Sequence, residues 1–248
     1  MIYPKRIVFE NSRRSQELSL SNNGKDTARY VISVVQIRMT NIGNFETIVS
    51  PDSLQYFADK NFRFFPRSVV LAPNESQTVK IQVIKTNELA TGEYRSHLYL
   101  RTQEQKSPPQ RADKKESTSI SILIKPVLGV SIPVIIKIGE SDTKVNISDI
   151  VFNTTKDMMP ALNFKFTRSG NMSAYGDITV THTSTSGKTT KVGLAQGVAI
   201  YTPTKERQFH LLLDKSKSNL FKSGMLRVTY LSQSPTPATL AESEISLN

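Results

Sequence analysis

Between Ser117 and Gly139 the chain holds a β-type run of about twenty residues, well beyond the usual three to ten of a strand. Ser119-Ile120-Ser121-Ile122-Leu123-Ile124-Lys125 alternates, and Pro126-Val127-Leu128-Gly129-Val130-Ser131-Ile132-Pro133-Val134-Ile135-Ile136-Lys137 carries the pattern on through two prolines and a glycine. A run this long has to serve two jobs in succession. On a strand, Ile120, Ile122 and Ile124 point to one side while Ser119, Ser121, Leu123 and Lys125 point to the other. Two uses fit that alternation: the isoleucines face the chain's own core, or they line an edge that completes a partner's unfinished sheet. Pro126 to Gly129 then reads as a bend, and Val130 to Lys137 leads into a second domain.

The rest of the chain is also β in pattern. Alternation or β-branched and aromatic content marks Arg6 to Glu10, Gln16 to Ser21, Ala28 to Met39, Phe62 to Leu71, Gln77 to Lys85 and Tyr94 to Arg101. The clusters Asn22-Asn23-Gly24-Lys25-Asp26, Ala72-Pro73-Asn74-Glu75 and Thr91-Gly92-Glu93 punctuate these segments as turns. After Glu140 the pattern restarts with Val145 to Asn153, Leu162 to Thr167, Asp177 to Thr183, Thr190 to Leu194, Gln208 to Leu213, Leu226 to Leu231 and Glu244 to Leu247. Short strands at this spacing predict an all-β chain of two immunoglobulin-like β-sandwich domains in tandem, residues 1–138 and 139–248. The short junction Ile138-Gly139-Glu140-Ser141-Asp142 implies a constrained angle between them.

Composition narrows the function classes. The net charge of +11 divides into 20 basic against 13 acidic residues up to Glu140, +7, and 12 against 8, +4, after it. Nucleic-acid binders concentrate such charge on one patch, whereas the tight cluster here, Lys106, Arg111, Lys114 and Lys115, sits in a polar loop and reads as solvated. The chain has no cysteine, so neither a disulfide nor a thiolate site is available to it. It lacks the run of about eighteen apolar residues that an ordinary transmembrane helix needs. The N-terminal Met-Ile-Tyr-Pro-Lys-Arg has no apolar signal region, so a secreted form implies a signal already removed.

Catalysis finds no foothold. His97, His182 and His210 are each isolated in strand-like stretches without a second ligand at metal spacing, and no Gly-x-Ser-x-Gly elbow or paired-carboxylate motif occurs. Ser186-Gly187-Lys188-Thr189 has the end of a phosphate loop, but His182 stands at the required upstream glycine, which makes the string a hairpin turn. No enzyme activity, cofactor or metal is expected.

Four segments carry a resemblance. Arg6-Ile7-Val8-Phe9-Glu10, Gln16-Glu17-Leu18-Ser19-Leu20-Ser21-Asn22, Leu71-Ala72-Pro73-Asn74-Glu75-Ser76-Gln77-Thr78-Val79 and Gly92-Glu93-Tyr94-Arg95-Ser96-His97-Leu98-Tyr99-Leu100-Arg101 resemble, in that order, the first domain of periplasmic pilus-assembly chaperones, the PapD-like family. The similarity covers roughly residues 5 to 137 and looks like a divergent branch; the second domain agrees mainly in length and β character.

The resemblance implies two immunoglobulin-like domains set as a boomerang, a periplasmic location, and partners that are pilus subunits and an outer-membrane usher. It implies donor-strand complementation, in which Ile120, Ile122 and Ile124, with Pro126 and Leu128, fill the groove of an incomplete subunit, and the loop from Gln103 to Thr118 orders on binding. It also implies two basic residues that hold the subunit's C-terminal carboxylate. Arg6 matches the first, and its planar fork suits bidentate bonds to a carboxylate. The second departs from the family: Ser131 or a neighbour stands where a lysine is expected, so either the anchor has moved, with Arg95 and Lys125 as candidates, or the subunit terminus is gripped differently. An exposed donor edge also invites self-association. Nucleic acid and membrane insertion are not among the expected partners. The other class that fits is a tandem immunoglobulin-like structural or adhesion module whose Ile120 to Ile124 strand is ordinary core.

Overall fold

β-branched and aromatic residues alternate with polar ones through most of the chain, and the backbone follows that period of two. The computed structural model describes residues 1–10, 12–103, 129–234 and 236–247. Ile120, Ile122, Ile124, Lys125, Pro126 and Leu128 lie outside the described residues. In chain order the first strands are β1 (Ile2–Tyr3), β2 (Ile7–Phe9), β3 (Ser15–Ser21), β4 (Ala28–Met39), β5 (Phe45–Ile48), β6 (Phe62–Phe65), β7 (Ser68–Leu71), β8 (Ser76–Val83), β9 (Gly92–Thr102) and β10 (Gly129–Ile138). They are followed by β11 (Lys144–Thr154), β12 (Pro160–Ser169), β13 (Ala174–Thr183), β14 (Thr189–Ile200), β15 (Glu206–Leu212), β16 (Gly224–Ser232) and β17 (Thr239–Leu247). Among the described residues, three short 3-10 segments, the longest Lys215–Lys222, interrupt them.

The residues group into two compact units. Met1–Gln36, Phe57–Leu89 and Tyr94–Lys137 form the first; Ile37–Tyr56, Ala90–Glu93 and Ile138–Asn248 form the second.

In the first unit one sheet runs β1-β3-β8-β6, and the other follows the order β2-β10-β9-β4, with β7 also paired to β4. Alternation drives one face of each sheet inward: Leu18 and Leu20 on β3, Val79 and Ile81 on β8, Leu98 and Leu100 on β9, and Val134 and Ile136 on β10 are all buried. The stretch Phe62 to Leu71, which reads as one strand in sequence, is two. β6 pairs β8 and β7 pairs β4, so the chain changes sheets across Pro66-Arg67, where proline's missing N–H cannot continue a ladder. Asn22 anchors the first predicted turn from inside. Its Nδ2 donates to the carbonyls of Asp26 (2.8 Å), Leu71 (3.0 Å) and Ala72 (3.2 Å), and its Oδ1 accepts from Gly24 N.

The second unit packs the sheet β11-β12-β15 on β14-β13-β16-β17. Phe164, Phe166 and Tyr230 form the aromatic centre of its core, with Phe166 at 5.3 Å from Phe164 and 5.0 Å from Tyr230 between ring centroids. Tyr230 keeps its buried hydroxyl satisfied by donating to Val198 O at 2.8 Å. The hairpin that ends β4 and forms β5 belongs to this unit, and Gln208 N donates to Asn41 O (2.6 Å) while Thr204 Oγ1 donates to Met39 O (2.8 Å). Glu93, at the start of β9, is buried and accepts from both the backbone N–H and the hydroxyl of Ser173.

Candidate binding face around β10

β10 is the described end of the long β run, and its neighbours differ along its length. β2 pairs with it in parallel, Ile7 opposite Val134, Val8 opposite Ile135 and Phe9 opposite Ile136. β2 has only those three residues against the ten of β10, because the chain upstream of it turns to pair β1 with β3 in the other sheet. Among the described residues, Gly129 to Pro133 therefore have no β2 partner on that side. Backbone N–H and C=O groups on such a side can accept a further strand.

The two described basic candidates flank β10. Arg6 directly precedes β2 and is half-buried; by alternation it shares the face of Val8, away from the core-facing Ile7 and Phe9. Arg95 lies on β9, the strand on the other side of β10. β9 sends Ser96, Leu98 and Leu100 one way and Arg95 and His97 the other. Ser96 Oγ accepts from Ala58 N (2.9 Å) and bonds Gln36 Oε1 (2.8 Å), which marks its side as the inner one. Arg95 and His97 are nevertheless only 2% and 3% exposed, so this stretch of β9 is covered on both faces. Lys125, the remaining basic candidate, lies outside the described residues.

Two groups on this face were missed by sequence reasoning. His97 reads as an isolated strand residue, yet it sits two residues from Arg95 on the same side. Burial first, and the charge of Arg95 second, push its imidazole down to about 3, so it is neutral at ordinary pH. Lys137 is the other. It lies on β10 itself, with Ser131 and Ile135 on the same side by alternation, and its ammonium stands 3.5 Å from Glu10 Oε2. Both side chains of that pair are partly exposed, so the pair adds little stability and leaves the lysine open to other carboxylates. The signal available in sequence was parity: Ser131 and Lys137 are six residues apart and share one side of the strand.

The other residues singled out by sequence belong to the second unit. His182, on β13, has Nε2 2.8 Å from Ser223 O, and its ring meets Phe221 edge-on. His210, on β15, has Nδ1 2.8 Å from Asn163 Oδ1. With His97 on β9, the three histidines occupy three different sheets. Ser186-Gly187-Lys188 is the β13–β14 hairpin turn, closed by Ser184 N donating to Lys188 O at 3.0 Å, with Gly187 at φ +83°.

No protein-family model matches the chain, and no curated protein does. Solved structures do. The class 5 fimbriae chaperone CfaA is similar at 14% identity and a TM-score of 0.49, over 100% of this chain and 98% of that one. The Pseudomonas aeruginosa CupB2 chaperone is similar at 13% identity and 0.47, over 100% of both chains. A chaperone-tip adhesin complex of CFA/I fimbriae biogenesis is similar at 15% identity and 0.47, over 99% of this chain and 97% of that one.

Proposed function

We propose that this chain is a non-enzymatic periplasmic chaperone that binds pilus or fimbrial subunits by lending them a strand and delivers them to an outer-membrane usher. The observation that carries this is the incomplete pairing of β10: β2 backs it only over Val134 to Ile136. The alternating segment Ile120 to Leu128 enters β10 from that less-paired end, where added backbone pairing and inward apolar side chains suit a subunit lacking a strand.

Arg6, half-buried beside β10, supplies the charge for a subunit's terminal carboxylate, with Lys137 as a further basic group on β10; Arg95, the other arginine flanking this strand, would have to be uncovered to join them. An arginine suits a carboxylate because charge-assisted, bidentate bonds are the stronger ones. Domain roles follow the sequence division, with residues 1–138 supplying the donor strand and residues 139–248 the second sandwich.

Co-expression with subunits encoded beside its gene tests the donor role. Ile122→Asp and Ile124→Asp are expected to abolish subunit recovery while the free protein keeps its far-UV spectrum and melting temperature. Unfolding of the free protein by the same changes would place those isoleucines in its own core and remove the proposal in favour of a structural module.

A further inference from the structure

The positive charge of residues 141–248 is unevenly placed. Residues 188–222 hold seven basic side chains against Glu206 and Asp214, a net of +5, so the other residues of this half sum to −1. Folding lays much of that stretch along one side of the second sandwich. β14 ends one sheet and β15 ends the other, and the chain leaving β15 lies against β14.

Between them runs a groove of about 410 Å³, lined by Lys191 to Leu194 of β14 and by Leu212, Leu213, Asp214 and Lys217. It is a shallow groove, open to solvent. Val192 and Leu213 are buried, but Leu194 and Leu212 are 46% and 49% exposed, which leaves two large apolar side chains in water.

The charges of the groove divide into matched and unmatched. Asp214 accepts from Ser216 and lies 3.2 Å from the Lys217 ammonium; the Ser216 hydroxyl first, then Lys217, hold its carboxyl below the usual range. Lys217 Nζ also donates to Lys191 O at 2.7 Å, and Asp214 N donates to Val192 O at 2.8 Å. Asp214 and Lys217 thus satisfy each other. Lys191 forms no ion pair among the described residues.

A lysine on an edge strand often serves only to repel strand addition. Here that job is already done, because the carbonyls of Lys191 and Val192 are occupied by the Asp214–Lys217 segment. We propose that the groove between β14 and β15 docks an acidic, extended segment of a protein partner, with apolar side chains on Leu194 and Leu212 and a carboxylate against Lys191. None of these residues lies in the first unit or in residues 104–128, so the site is independent of the donor strand. A rim charge of this kind sets association rate and salt dependence more than depth of binding.

Fluorescence anisotropy on the full chain tests it with two short labelled peptides of one Leu/Val pattern, interleaved with Asp in one and Lys in the other. The Asp peptide is expected to bind, more weakly as salt rises, and about tenfold more weakly to Lys191→Glu and to Leu212→Asp. Both changes are at exposed side chains, and Leu194→Ser provides a third variant should either alter the melting temperature. Equal binding of the two peptides, no binding of the Asp peptide, or binding indifferent to all three variants would overturn the proposal. So would binding of phosphatidylglycerol vesicles in place of the Asp peptide, which would make the occupant a lipid surface.

Discussion

Single residues reveal their roles here mostly through what they do with buried polar groups. Asn22 bonds the backbone from inside a turn through both the nitrogen and the oxygen of its side-chain amide, so Asn22→Ala takes this donor from the buried Leu71 carbonyl and is expected to cost about 1–3 kcal/mol in urea unfolding. His97 makes a pH prediction with a definite sign. Its pKa is 6.5 for the unfolded chain and about 3 when folded, so below pH 6.5 the unfolded state binds the extra proton and stability falls with pH. From about pH 7.5 to about pH 5 that loss is about 2 kcal/mol, and it continues until the folded pKa is reached. His97→Gln is expected to flatten this slope in denaturant unfolding at the two pH values; an unchanged slope would assign it to other groups. Arg95→Met, which removes the second cause of the depression, is expected to make the slope shallower.

Elements are where sequence and structure can be compared most closely. The segment Ala28 to Met39 appears with the expected bounds, because its dense β-branched and aromatic content suits a pleated strand whether or not its faces alternate strictly. β14 is longer than its sequence signal, Thr189–Ile200 against Thr190 to Leu194: Gly193 and Gly197 interrupt the pattern without stopping the strand, since pairing with β13 decides it. β1 and β5 escaped because two and four residues are too short to show a period. Around β10 the chemistry was legible in part. Arg6 and Arg95 were singled out and do flank one strand, but the burial of His97 and the shared side of Lys137 depend on pairings that no local window contains. Gly176 on β13 tests how tightly such pairings are built. A Cβ there would strike the carbonyl of Leu231 on β16, so Gly176→Ala is expected to lower stability by about 1–3 kcal/mol and to show it in the melting temperature.

At the scale of the whole molecule, the spread of positive charge over both halves conceals a concentrated basic stretch, 188–222, along one side of the second sandwich. The first unit offers a strand supported on one side over only three residues, and the second offers a charged groove at two sheet edges. These are separate surfaces, and changes at Lys191 are expected to leave subunit capture through Ile120 to Ile124 intact. The central claim is that residues 120–128 become a strand of another protein's sheet. Hydrogen–deuterium exchange across that segment, measured on the free protein and on its complex with a co-expressed subunit, tests it most directly. The account predicts that backbone amides across 120–128 gain protection on subunit binding, together with those of Gly129 to Ser131. Exchange that is the same in the free protein and the complex would contradict it.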